Sequence, residues 1–493
     1  MCAQKDETTY NSGNTDYFIR LIGIIVCIGA AVSIGLTVLH LIDMGVPLTD
    51  RAIFIALTID AALVILPFYF IASGKTDHNN LIRFICILIA ALMLFLNVFA
   101  SSYLEATTDF LETQYTVRSR GVIEYNVVAQ RKAGIELSQK TKIKAGIQST
   151  DTCKTEAERE TKKLAAASFE EYDSLSDLIH ATEAKALDVA VVQRTMLDAY
   201  AEYFPDSYKN LDVIATFKAG TDRSQTNAAN AKVDITKPFA IYVSAIDEWG
   251  PIADIAAGRS DANIIMLIDP ERYKILLINT PRDYYVQLHG TVGYRDKLTH
   301  AGVYGIEMSQ QTLEDIYGFE INYHALINFD TVVNLVETMG GIVVDNPAEF
   351  NLWGSTYAAG EIYLNGEMAL LYSRARKGLS HGDFDRGENQ QRVIMGIVDR
   401  ITEPGVVVHY KNILKTLSGT FRSNIPPKVI AQLFSRQISM GGDWTIERMS
   451  ADGRSDSRPT YSMGAQELSV IIPDDDSLEE IRAAIRDFMN PKD

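Results

Sequence analysis

The stretch GRSDANIIMLIDPERYKILLINTPRDYYV, residues 258–286, contains two short β-rich runs, 263–268 and 274–278, bordered by arginine–aspartate elements. Another β-rich run, 239–246, lies upstream, with Asp247 directly behind it. Downstream, residues 308–317, 331–339 and 389–401 carry apolar side chains at helical spacing. Alternation of this kind predicts an α/β or α+β sheet layered with helices. It places Asp247, Arg259, Asp261 and Arg282 near strand ends, where such sheets commonly gather their active-site groups.

The arginine–aspartate theme recurs in GRSD (258–261), TPRD (280–283), SRAR (373–376) and GDFDRGENQQ (382–391). A fork of guanidinium groups with carboxylates among them suits a pyrophosphate and its metal ion. Arg374 and Arg376 are separated by one residue, so on a strand they would share a face and grip the same phosphates. Surface ion pairs are the alternative, although scattered pairs need not follow strand ends and small-residue turns so regularly. The sequence shows no Ser-His-Asp or Cys-His constellation, and phosphoryl transfer needs none, being dominated by positioning and charge stabilisation. His300, between Thr299 and Ala301, reads as a structural residue, or one that supports the site from behind, rather than a metal ligand.

Three apolar segments, 18–42, 52–72 and 81–100, each approach the ~20 residues that span a hydrocarbon core and predict transmembrane helices. Lys5, Arg20, Lys75 and Arg83 put the amino terminus and second loop in the cytoplasm, against Asp43 and Asp50 in the first loop. Everything after Tyr103 is then extracellular. Asp60, within the second segment, reads as facing a helix neighbour. Of Cys2, Cys27, Cys86 and Cys153, only the last is external on this topology, so an external disulfide within one chain is excluded. Cys153 reads as a free surface thiol. The formal net charge of −17 argues against nucleic acid as a partner, but a local arginine cluster can still bind a phosphorylated lipid.

The chain divides into a membrane anchor (1–103), an external accessory domain with its linker (104–237) and a third region (238–493). In the accessory part, 122–128 predicts a strand, 155–167 and 184–203 predict helices, and polar 221–232 reads as the linker.

The ordered motifs GRSDANIIMLIDP, INTPRDYYV, KLTHAGVYG, VETMGGIVVD, LNGEMALLYSRAR and GDFDRGENQQ resemble the LytR-CpsA-Psr family of Gram-positive envelope proteins, over about residues 238–490. The three-helix start and intervening module are similar to its capsule-associated CpsA-type members. The resemblance implies an external α/β/α-type catalytic domain on a three-pass cell-membrane anchor. It implies a transferase that joins a glycopolymer from an undecaprenyl-(pyro)phosphate carrier to peptidoglycan with Mg²⁺, in company with capsule assembly proteins. By motif, Asp247 and Asp261 would bind the metal, which usually takes one or two carboxylates besides phosphate and water. Arg259, Arg282, Lys297, Arg374, Arg376, Arg386 and Gln390 would contact substrate phosphate, and Arg259, Arg282, Asp383 and Arg386 would serve the catalytic step.

The chain departs from the common family pattern at Ile246, at Asn279-Thr280 and at Trp249-Gly250-Pro251. A hydrophobic pocket for the lipid tail is also implied, among residues such as Ile327, Phe329, Val332, Val333, Leu335 and Val336, although ordinary core packing accounts for any one of them. Two other functions use the same residues. One is a non-catalytic polyprenyl-phosphate-binding regulatory or assembly factor for capsule export; the other is a carrier-lipid pyrophosphatase with water as acceptor.

Overall fold

The computed structural model describes residues 6–43, 51–72, 80–117, 121–151, 153–221, 235–247, 258–376, 379, 383–403, 412–413, 415, 421–426, 429–430, 432–433, 436 and 443–491. The chain splits into two compact units, Met1–Glu112 with Pro426–Gly441, and Thr113–Ile425 with Gly442–Asp493.

The first unit holds α1 (Asp6–Asp43) and α2 (Arg51–Ala72), while α3 (Asn80–Val117) continues beyond it. Tyr17–Ile42, Ile53–Ala72 and Leu81–Thr107 are each long and apolar enough to cross a membrane. Phe18, Phe54, Leu66 and Phe95 are exposed on their outer faces, as lipid contact requires. The polar groups turn inward. Asn97 Nδ2 donates to Asp60 Oδ2 at 2.8 Å, while Thr37 Oγ1 lies 3.3 Å from Asn97 Oδ1 and 3.0 Å from Ser101 Oγ, which ties the three helices together. Asp60 therefore faces a helix neighbour, as its sequence setting suggests.

The second unit begins with a module of β1 (Gly121–Gln130), β2 (Lys142–Gln148), α4 (Lys154–Leu164), β3 (Ala166–Tyr172), α5 (Leu175–Glu183), β4 (Val189–Gln193), α6 (Arg194–Tyr203), α7 (Pro205–Tyr208) and β5 (Leu211–Thr221). Its sheet runs β3-β2-β4-β1-β5. Two expectations need correction here. Residues 184–203 are not one helix: the apolar run Val189–Gln193 is an inner strand with every residue buried, and helix begins only at Arg194. A short apolar run covered on both faces carries no period that tells strand from helix. Cys153 is not at the surface either; it is 4% exposed and packs in the core beside Ala157 and Tyr125. The helix expected at 155–167 ends at Leu164, and Ala166 already belongs to β3. Of the expected linker 221–232, only Thr221 lies within the described residues.

The remainder follows as β6 (Phe239–Ile246), β7 (Ser260–Asp269), β8 (Lys274–Asn279), β9 (Tyr285–Val286), β10 (Asp296–Lys297), α8 (Leu298–Ala301), α9 (Ile306–Tyr317), β11 (Tyr323–Ile327), α10 (Phe329–Thr338), β12 (Ile342–Asn346), β13 (Phe350–Leu352), β14 (Ser355–Tyr357), β15 (Gly360–Leu364), α11 (Gly366–Arg374), α12 (Asp383–Thr402), β16 (Phe421–Ser423), β17 (Thr445–Ser450), β18 (Gly453–Thr460), β19 (Gly464–Pro473) and α13 (Asp475–Met489). The main sheet runs β16-β11-β6-β7-β8-β17, with β6, β7 and β8 antiparallel and β11 parallel to β6. Its inner strands are buried along most of their length because helices cover both faces. One hydrophobic core joins Leu178, Met196 and Tyr200 of the first module to Tyr242, Leu267 and Ile278 of the sheet, so the two parts share their interior.

Candidate functional site

Strand register brings the motifs to one edge of the main sheet. Ala245 of β6 pairs with Ala262 of β7 and with Ile327 of β11, and Ile264 of β7 pairs with Asn279 of β8. The ends of β6, β8 and β11 therefore sit beside the start of β7. A register shift between Ala245 and Ile246 marks a bulge there, a device that re-aims side chains. Asp247 follows β6, Arg259 and Asp261 bracket the first residue of β7, and Arg282 follows β8.

Glycines permit the close approaches that complete this edge. A Cβ on Gly302 would stand 2.4 Å from the Gly258 carbonyl oxygen, and the Gly258 N–H donates to the Gly302 carbonyl at 3.1 Å. KLTHAGVYG is thus the seat on which GRSD rests. In α12, a Cβ on Gly387 would stand 2.1 Å from the Asn279 amide nitrogen, so the missing side chain lets the helix lie against β8. Gln391 Nε2 fixes the helix in place, donating to the carbonyls of Leu277 at 3.1 Å and Met449 at 2.7 Å. That crossing carries Arg386 and Gln390 to the strand ends.

A cavity of about 480 Å³ at this edge is lined by Asp247, Arg259, Asp261, Arg282, Arg374, Arg376, Arg386 and Gln390. Eight of the ten expected residues thus converge. Lys297 lies behind the wall, 3% exposed, with Nζ 3.3 Å from Asp283 Oδ1 and 5.0 Å from the Tyr203 ring centre. Asp383 opens α12, and its side chain lies outside the described residues. The expectation that Arg374 and Arg376 share a strand face is corrected: Arg374 is the last residue of α11, and Arg376 follows extended Ala375. The helix end still delivers both to the cavity. Arg374 stacks on Phe329, its guanidinium carbon 4.2 Å from the ring centre.

The charge balance of the lining is positive. Five lining arginines face three carboxylates, Glu202, Asp247 and Asp261, a local positive surplus in a chain of net charge −17. Arg282, 8% exposed, donates from Nη1 to Asp261 Oδ1 at 2.7 Å, and Arg374 Nη2 lies 3.6 Å from Asp247 Oδ1. Arg386 is 5% exposed near the start of α12, at the positive end of the helix dipole. Burial, and then the charge of Asp261, push the Asp247 carboxyl above the usual aspartate range, with Arg374, Arg259 and Arg282 partly offsetting them. Burial works against the charge on Arg259, but its hydrogen bond to Glu202 and the field of Asp261 outweigh that and raise its pKa.

The rest of the cavity is mostly apolar, with Asn328 and Ser373 as its polar exceptions. Ile327, Phe329 and Val332 line it from one side, and Val393, Ile394 and Ile397 of α12 from another. Leu335 and Val336, read with them in sequence, pack instead with the core cluster around Met339 and Tyr372. His300 is fully buried with Nδ1 2.7 Å from Asp296 Oδ1, the structural place its sequence setting suggests. Sequence reasoning missed Glu202, which reaches Arg259 from α6 across 57 residues of chain and has no local signal. It also left Asp283 without a role, although the Pro-Arg-Asp motif contains it.

Comparisons with known proteins place the chain in a family. A relative from Enterococcus faecalis, named polyisoprenyl-teichoic acid–peptidoglycan teichoic acid transferase TagU, is 32% identical over 226 residues, covering 46% of this chain and 72% of the relative. One of the same name from Bacillus licheniformis is 28% identical over 228 residues, covering 46% and 72%. Among solved structures, Bacillus subtilis TagV matches with a TM-score of 0.44 at 27% identity, covering 52% of this chain and 99% of that one. The LytR_cpsA_psr family model matches residues 209–484, more than half of the chain, and the protein belongs to that family.

Proposed function

We propose that this protein transfers a glycopolymer from a polyprenyl-(pyro)phosphate carrier to peptidoglycan, with Mg²⁺ at Asp247 and Asp261. The observation that carries the reading is a single cavity joining five arginines and two strand-end aspartates to an aliphatic wall, a match for a ligand that is charged at one end and greasy at the other. The names of the TagU relatives support the same reaction class.

The carboxylate pair fits the metal. Asp261 is close enough to raise the pKa of Asp247, as two carboxylates facing a shared space do. Among the described residues no larger cluster of His, Cys, Asp and Glu forms, and Mg²⁺ needs only one or two carboxylates when phosphate and water complete its shell. Bound there, it would supply Lewis-acid neutralisation of the phosphate oxygens.

The arginines do the remaining work. Arg282 and Arg386, rigid because they are buried, would hold phosphate oxygens, and Arg374 and Arg376 would complete the grip from the α11 end. An acceptor hydroxyl oxygen forms a bond to the glycan-bearing phosphorus while the bond from that phosphorus to the carrier's phosphate oxygen breaks. The carrier phosphate leaves as an anion stabilised by guanidinium groups, and the hydroxyl proton passes to solvent. Three membrane helices suit a lipid-carried substrate, and the bias of loop charge supports a catalytic unit outside the cell. Similarity to capsule-associated members makes a capsule precursor the proposed glycopolymer, with capsule assembly proteins as partners.

The test is the full chain in detergent, incubated with lipid-linked glycan and peptidoglycan and assayed for covalent attachment. Attachment that Arg282→Ala abolishes is the expected result. Release of free glycan phosphate alone would make the protein a carrier pyrophosphatase, and binding with no turnover would make it an assembly factor.

A further inference from the structure

Glu202 stands at the end of α6, in the first module and upstream of the family match, which starts at residue 209. Its Oε2 accepts from Arg259 Nη1 at 2.6 Å, and it lines the same cavity as Asp247 and Asp261. Nothing local favours a carboxylate there, because the last turn of a helix is the negative end of its dipole. The pair is lopsided: the Glu202 side chain is 54% exposed and that of Arg259 only 22%. Glu202 is also the most exposed of the three lining carboxylates, Asp247 being 36% and Asp261 17% exposed, so it turns out into water most easily. The backbone beneath it is held. Tyr203, the next residue, lies under Lys297 Nζ and presents its ring to His300 at 6.1 Å between centres.

We propose that Glu202 is a displaceable clasp: in the ligand-free protein its carboxylate occupies the guanidinium of Arg259, and an incoming phosphate must displace it. This rests on the reading of the cavity as a phosphate site. A carboxylate oxygen on a guanidinium N–H makes the contact a phosphate oxygen would make, so the two anions exclude each other at Arg259. The clasp keeps that half-buried cation partnered between turnovers. It also makes the first module part of the site, with each binding event turning Glu202 out into water.

The experiment is calorimetric titration of the full chain in detergent with inorganic pyrophosphate, for the unmodified protein and for Glu202→Gln, Glu202→Ala, Arg259→Ala and Asp206→Asn. Asp206 is the control, an exposed carboxylate of the same module that pairs with Lys209 and does not line the cavity. Removing a half-exposed competitor of this kind should tighten pyrophosphate binding about two- to fivefold, less as salt rises. Asp206→Asn should leave affinity unchanged. In an Arg259→Ala background the Glu202 substitutions should have no further effect.

Unchanged or weaker binding in both Glu202 variants, with the unmodified protein binding through Arg259, overturns the clasp and leaves the phosphate site standing. Equal tightening by Asp206→Asn also overturns it, since bulk charge would then explain the gain. If the unmodified protein binds no pyrophosphate, the clasp and the phosphate site fall together.

Discussion

Asp261 answers two demands. It is a candidate metal ligand, and it is also the partner of Arg282, an arginine with 8% exposure whose guanidinium would otherwise lose its closest carboxylate. Asp261→Ala should therefore cost stability as well as activity, about 1–3 kcal/mol for the exposed imbalance. Asp261→Asn keeps an acceptor for Arg282 and should hold most of that stability while still abolishing Mg²⁺-dependent transfer. Thermal unfolding beside the attachment assay separates the two, and equal unfolding losses in both variants would contradict this division.

Asp247 provides a pH test. Its folded pKa lies above the unfolded value, so the ionised form is less stable in the folded protein than in the unfolded chain. Stability should rise slightly as pH falls from neutrality through that raised value, whereas Mg²⁺ affinity should fall, because protons and metal compete for the carboxylate. The carboxyl carbon of Asp247 should titrate above the ordinary aspartate range by NMR, and in Asp261→Asn its midpoint should move down. A midpoint unmoved by that substitution would remove Asp261 from the causes. Composition around GRSD and TPRD made these residues legible in the sequence, since each motif sits beside a short apolar run rich in β-branched residues and bounded by turn residues. The burial that raises Asp247 was not legible, because it depends on α11 and α12 arriving from more than a hundred residues away.

α12 shows what an element adds to its residues. Sequence spacing marks a helix only from 389, but the element starts at Asp383 and its early turns carry Arg386 and Gln390 into the cavity. The apolar period is silent there because Arg386 and Gln390 face the site and Gly387 lies against β8, which leaves Phe384 as the side chain that packs on the core. Likewise, SRAR reads as a strand-like pair but belongs to the end of α11, whose start is set by the Asn365 side chain capping the Met368 N–H at 2.9 Å. Gly387 is the position at which α12 depends most on its neighbour. Gly387→Ala would drive a methyl into the Asn279 amide, so despite the better helix propensity of alanine it should destabilise by about 1–2 kcal/mol and shift Arg386. Asn279→Ser, which removes the amide that the methyl would meet, should relieve the clash. The double variant should recover most of the lost stability, measured by denaturant unfolding. A double variant no more stable than Gly387→Ala alone would show that the glycine serves something other than this contact.

At the scale of the whole molecule, the question is which side of the membrane the second unit occupies. The three apolar helices were plain in the sequence because length and composition suffice to find them, and the structure adds that Asn97 hydrogen-bonds both Asp60 and Thr37 between them. The shared core of the first module and the catalytic sheet was not plain, since Leu178 and Tyr242 meet only in the folded chain. Topology rests on a few charges: Lys75 in the second loop and Arg83 just past it against Asp43 and Asp50 near the first. Each cation counts because the cytoplasmic bias is read over short loops close to the span ends. A reporter that works only outside the cell should therefore be active when fused after Val117, where α3 ends, and silent when placed within residues 73–79. Lys75→Glu together with Arg83→Glu should weaken that preference. Strict activity of the loop fusion in the unmodified chain would place the arginine-lined cavity in the cytoplasm, away from any peptidoglycan acceptor, and transfer to the cell wall would then be untenable whatever the chemistry of the site.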